Sequence, residues 1–148
     1  MDSRTLTLLV VFTLGGCAST QVLRDFSTDG CSLFPDGDAE DRVRWCDCCV
    51  EHDEAYWRGG SAEERKRADT VFRDCLVTRS NRPTLAAVMY RGVRIGGTPW
   101  LPTGFRWGYG WGYGRGYAPL TADEQRHADE KQRTQRYGHQ RSGFCQKH

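Results

Sequence analysis

The chain lacks any apolar run long enough to cross a bilayer. Its most apolar stretch, Leu6 to Leu14, falls well short of the roughly 20 residues that a helical span requires. Lysine is scarce, three residues against eighteen arginines, and the formal net charge is +2. The cationic surface is therefore built from guanidinium groups, which suit paired contacts with phosphate or carboxylate. Apolar residues make up 38% of the sequence, a modest supply for a core, so a domain of this size gains from crosslinks worth about 2–4 kcal/mol each. Proline and glycine are missing from one stretch in particular, Trp45 to Arg58, and nothing there interrupts a helix before Gly59-Gly60.

That stretch holds Cys46, Cys48, Cys49, His52, Asp53 and Tyr56. Trp45, Cys48/Cys49, His52 and Tyr56 recur at three- and four-residue spacing, which predicts a helix with His52 on its inward face. Neighbouring helical residues project about 100° apart, so Asp53 faces a different neighbour. In a reducing compartment the thiols and the imidazole would suggest zinc; in an oxidising one the same thiols are disulfide anchors. The N-terminal stretch favours the second. Arg4 ahead of Leu6 to Leu14 is the pattern of an export signal. Leu14-Gly15-Gly16-Cys17 resembles the lipobox of bacterial lipoproteins, whose cysteine is diacylated and becomes the first mature residue. The expectation is a signal over residues 1–16, a lipid anchor on Cys17 and, with Ala18 rather than aspartate next, an outer-membrane location. Nucleic acid is not an expected partner there. Six cysteines remain, Cys31, Cys46, Cys48, Cys49, Cys75 and Cys145, an even number that implies three bridges and argues against a thiolate metal site. Residues 17–28 read as a linker and 29–148 as one domain.

Asp29 to Asp38 is dense in Gly, Pro and Asp, the composition of an irregular loop, and such a loop exposes carbonyls to a hard cation such as calcium. Beyond Gly59-Gly60, Ser61 and Glu64 form a capping box. Ala68, Val71, Phe72, Cys75 and Leu76 continue as the apolar stripe of a second helix to about Arg79. Asp69 lies beside that stripe, where a carboxylate needs a partner. The short glycine connection makes the two helices an antiparallel pair, so Asp69 can meet His52 across their interface.

Cys48-Cys49-Val50-Glu51-His52-Asp53 with Tyr56 resembles the Cys-Cys-x-x-His-Asp-x-x-Tyr signature of the secreted phospholipase A₂ superfamily. Asp69 with Cys75 resembles the Asp-to-Cys interval of its second long helix, and Cys31 the cysteine of its calcium loop; the match spans Gly30 to Cys75. The resemblance implies a mainly α fold with two antiparallel, disulfide-linked helices. It also implies calcium-dependent hydrolysis of the sn-2 ester of glycerophospholipids at a membrane surface. His52 would be the general base, Asp69 would hold its tautomer, and Tyr56 would hydrogen-bond to Asp69. Asp53 and the carbonyls of Gly30, Ser32 and Phe34 would hold calcium. Carried over, the family's pairings join Cys31 to Cys49 and Cys48 to Cys75, leaving Cys46 for Cys145. One departure stands out: the loop reads Cys31-Ser32-Leu33-Phe34-Pro35 where the family has glycines, and Asp36 or Asp38 is an alternative oxygen donor.

After Arg82-Pro83, a short helix is expected over Thr84 to Tyr90, stopped by Gly92, Gly96 and Gly97. The tract 99–117, containing Trp107-Gly108-Tyr109-Gly110-Trp111-Gly112-Tyr113-Gly114, puts its rings on one side if extended. It then reads as an interfacial membrane patch, a stacking platform for glycan, or a cover for the domain's own core. Thr121 and Glu124 open a polar helix over 121–137, tied down by Cys145. His127, His139 and His148 read as surface residues. The alternative to an enzyme is a non-catalytic envelope lipoprotein that uses this scaffold and the aromatic tract to bind lipid, glycan or another protein.

Overall fold

The computed structural model describes residues 22–137 and 144–145. The expected signal, the Cys17 anchor, His139 and His148 lie outside the described residues. Among the described residues there are four helices and no strand: α1 (Cys46–Arg58), α2 (Ala62–Ser80), α3 (Pro83–Gly96) and α4 (Ala122–Tyr137). The mainly helical class is as expected.

α1 and α2 are antiparallel. Cys48 is bridged to Cys75, His52 meets Asp69, and Tyr56 meets Arg65, so positions advance along one helix as they retreat along the other. Ser61 and Glu64 form the expected reciprocal cap on α2, and Asn81 closes it in the left-handed region. Cys31 is bridged to Cys49 and Cys46 to Cys145, so all three expected disulfides are present. Cys31, Trp45, Cys48, Cys49, Phe72, Leu76, Ala86 and Met89 form the main core between the loop, α1, α2 and α3.

α3 is longer than expected. Pro83 starts it, where its missing N–H costs nothing, and it runs through Gly92 instead of stopping at Tyr90. A glycine inside a helix costs about 0.5–1 kcal/mol relative to alanine. That is outweighed because Leu85, Ala86, Met89 and Val93 all pack on the main core.

The tract 99–117 is not an extended ribbon with its rings on one side. It is a chain of turns wrapped on the C-terminal end of α1, where the last four carbonyls of a helix have no partner within the helix. Gly59 N–H bonds the Ala55 carbonyl, Gly108 N–H that of Tyr56 and Gly110 N–H that of Trp57, at 3.0, 2.7 and 3.2 Å. The Trp111 indole donates to Arg58 at 2.7 Å. Trp107 and Trp111 are buried and cover the protein's own core, whereas Trp100, Phe105 and Tyr113 are exposed, so the rings do not share one flat surface. One of the alternating glycines is required by the close approach: a β-carbon on Gly110 would lie 2.6 Å from the Trp57 carbonyl oxygen, the Trp57 ring and Leu23. Gly110→Ala should therefore cost about 1–3 kcal/mol in urea denaturation. Gly104→Ala, where a β-carbon meets open space, should be nearly neutral.

Residues 22–28, inside the expected linker, pack against this same region. Leu23 is buried with Trp57, Trp111 and Ala128, and the Trp57 indole donates to the Arg24 carbonyl at 2.8 Å. Thr121 and Glu124 cap α4 reciprocally. Ala128 buries that helix against the second core, and Cys145 anchors the chain beyond it to α1.

Candidate active site

His52, nearly two turns into α1, lies between the rings of Tyr56 and Phe72, with centroids 4.2 and 4.5 Å away. Its Nε2 is 2.8 Å from Asp69 Oδ1. Asp69 is fully buried, and its carboxylate is the centre of a network. Tyr56 donates to Oδ1 at 2.8 Å, Arg94 donates to Oδ2 at 2.5 Å, and Arg65 Nε stands 3.9 Å from Oδ2. Arg65 Nε also donates to the Tyr56 hydroxyl at 3.0 Å, while its NH2 group bonds the carbonyls of Val93 and Arg94. The C-terminal end of α3 is thereby tied to the site.

These contacts fix the protonation pattern. Burial alone would raise the Asp69 carboxyl, but hydrogen bonds from His52, Arg94 and Tyr56 outweigh it and hold the group below its ordinary range. The imidazole is pushed down by burial, against the pull of Asp69. An ionised Asp69 beside a neutral His52 requires the ring proton on Nε2, donated to Asp69, which leaves the lone pair on Nδ1. No hydrogen bond engages Nδ1 among the described residues.

His52 borders a half-open cleft of about 660 Å³, counting its mouth, which is shared with Gly30, Leu33, Phe34, Asp53 and Phe105. The expected metal residues Gly30, Ser32, Phe34 and Asp53 thus meet the expected base at one cavity, while Asp69 sits behind His52, outside the lining. Asp53 does face its own neighbour: Thr28 donates to it at 2.7 Å. Its carboxyl is pushed up to about 7, first by burial and then by the like charges of Asp29 and Asp36. A half-buried acid near two others, with no cationic side chain bonded to it among the described residues, suits a hard cation that takes oxygen ligands. The carbonyls of Gly30 and Phe34 accept no hydrogen bond among the described residues, whereas that of Ser32 accepts from Phe34 N–H. Of the two alternative donors, Asp36 is close to Asp53 and accepts from Cys31 N–H. Asp38 is instead paired with Arg44 and Arg82.

The thiolate alternative is removed. Cys31, Asp36 and Cys49 cluster closely, but the two sulfurs are bonded to each other. Cys46 and Cys48 are likewise committed elsewhere.

Three contributors went unread in the sequence. Arg65 stands four residues before Asp69, a spacing that puts both on one helical face and that was available as a signal. Arg94 and Thr28 carry no local signal; the packing of α3 and of residues 22–28 brings them in. Compared with protein-family models, curated proteins and solved structures, the chain matches none.

Proposed function

We propose that the protein is a calcium-dependent phospholipase A₂-like hydrolase, cleaving the sn-2 ester of glycerophospholipids at a membrane surface on a phospholipase A₂-like helical scaffold. The observation that carries this reading is a neutral imidazole, backed by a buried carboxylate and with one nitrogen unengaged, that borders an apolar cleft beside a second, cation-hungry carboxylate.

In this reading a water between the ester and His52 gives its proton to Nδ1 as it attacks the carbonyl carbon. The charge that develops on the ring is met by Asp69, already ionised and bonded to Nε2, so no group has to reorganise during the step. Tyr56 and Arg94 hold Asp69 in place. The proton on Nδ1 then passes to the departing glycerol oxygen. Asp53, with the carbonyls of Gly30 and Phe34, would hold calcium, which supplies charge stabilisation for the phosphate and for the carbonyl oxygen. Phe34, Phe72 and Met89 line the cleft and would receive an acyl chain. Leu33, Trp100, Leu101 and Phe105 are exposed; Leu33 and Phe105 border the cleft and would meet the bilayer. A lipid anchor at Cys17 in the outer membrane would hold the enzyme at its substrate.

The test is regiochemistry. Phosphatidylcholine vesicles carrying different acyl chains at the two positions should release only the sn-2 chain. Release of both chains, or of neither, would refute the assignment. The state of Asp53 adds a prediction. Its raised carboxyl is largely neutral below about pH 7, and calcium needs the anion. Calcium affinity should therefore fall as pH drops through 7, by up to about tenfold per unit, and level off above it. Thermal shift with calcium at pH 5 and pH 8 measures this directly, and an equal shift at both would contradict it.

A further inference from the structure

A second cleft, of about 800 Å³ counting its open mouth, lies between residues 24–27 and the loop 102–106. It is unlike the first in being cationic. Arg106 is 6% exposed, yet no carboxylate pairs with it among the described residues. Its NH2 group donates to the Trp111 carbonyl at 2.7 Å, and the guanidinium faces the Tyr113 ring at 5.7 Å. Its NH1 is buried without any hydrogen-bond partner, as is the hydroxyl of Thr103, which lines the same cleft.

A buried cation and a buried hydroxyl left open together are costly, because each gives up water without a replacement. A second cation makes the arrangement worse for the empty protein: Arg24 also lines the cleft, and its charge, after burial, pushes Arg106 down from its ordinary value. The acid in the lining does not relieve this, since Asp25 is paired with Lys131 and its side chain is 80% exposed. The tyrosine hydroxyls are engaged too, Tyr109 with the Ser27 carbonyl and Tyr113 with that of Trp100. Two guanidinium groups and one hydroxyl with unspent donors are complementary to a group with several charged oxygens.

We propose that this cleft binds a phosphate-class oxyanion between the guanidinium groups of Arg24 and Arg106 and the hydroxyl of Thr103. The site is separate from the His52 cleft but adjoins it, because Phe105, between Gly104 and Arg106 in the same loop, borders the catalytic cavity. The anion is either soluble phosphate or the headgroup of an anionic lipid beside the one being bound. Neither source depends on ester hydrolysis.

The test uses the full chain in the presence of chelator, which keeps calcium out of the first cleft. Titration calorimetry with inorganic phosphate, against chloride at equal ionic strength, should show saturable binding. Arg24→Gln, an exposed position, should weaken it about tenfold, the loss of one charge-assisted contact. Thr103→Val should weaken it several-fold, and His52→Gln should leave it unchanged. Flotation with phosphatidylcholine vesicles, with and without phosphatidic acid, separates the sources. Stronger capture by the acidic vesicles than by phosphatidylcholine alone, with the excess reversed by free phosphate and lost in Arg24→Gln, assigns the lipid headgroup; phosphate binding with equal capture by both vesicles assigns the soluble ion. No phosphate binding above the chloride control, or equal binding in wild type and both cleft variants, overturns the site. Calcium-dependent hydrolysis that persists in that event leaves the enzymatic reading standing.

Discussion

His52→Gln should lower calcium-dependent fatty-acid release by about 10³-fold while leaving the protein folded. A positioned general base contributes on the order of 10²–10⁴ to the rate, and here the base also delivers the proton to the leaving oxygen. The substitution separates chemistry from architecture. A glutamine amide can still donate to Asp69 Oδ1, now bonded by the His52 ring, and it fills much of the space between Tyr56 and Phe72. It has no basic lone pair to take the place of Nδ1. Urea denaturation should therefore shift by only about 1 kcal/mol, and the calcium-induced thermal shift should persist because Asp53 is untouched. Equal release by wild type and variant would remove His52 from the mechanism.

Asp69→Ala should instead undo the fold, costing about 3–5 kcal/mol. The carboxylate is wholly inaccessible to solvent, and His52, Tyr56 and Arg94 all bond to it. Arg65, also buried, depends on it for countercharge. Removing it strands the buried donors of His52 and Tyr56 and the buried charge of Arg65, although Arg94, a third exposed, keeps a route to water. Asp69→Asn should be milder, since an amide oxygen keeps one acceptor, but it should abolish activity as well because the imidazolium loses its counterion. The sign of the pH effect follows from the depressed carboxyl. Relative to an unfolded value near 3.8, the ionised group is favoured in the folded state, so its contribution is complete above that value and fades as pH falls below it. In Asp69→Asn, the acid side of the stability profile should flatten. A wild-type slope in that variant would show that Asp69 is not held as described.

The α1–α2 pair was legible because each signal was local. Helical spacing turned His52 inward, the glycine connection made the next helix antiparallel, and Asp69 stood where an acid needs a partner. All three disulfides agree with the carried-over pairings. What could not be read was whatever depends on three-dimensional supply and demand. The glycine and tyrosine alternation resembles a ribbon, but the unpaired carbonyls at the end of α1 recruit it as a wrapping of turns. Gly92 looked like a stop because its cost is intrinsic, while the burial that outweighs it belongs to α2 and the loop. Arg94 reaches Asp69 only because α3 continues past that glycine. The same continuation explains why the carboxylate network is larger than a His–Asp–Tyr trio.

The central claim is met most directly by following fatty-acid release from phospholipid vesicles by the disulfide-intact protein as calcium is withdrawn and restored. The proposed chemistry predicts release that stops on chelation and resumes when calcium is added back. Release that continues unchanged in chelator, or that is missing at saturating calcium, would contradict it.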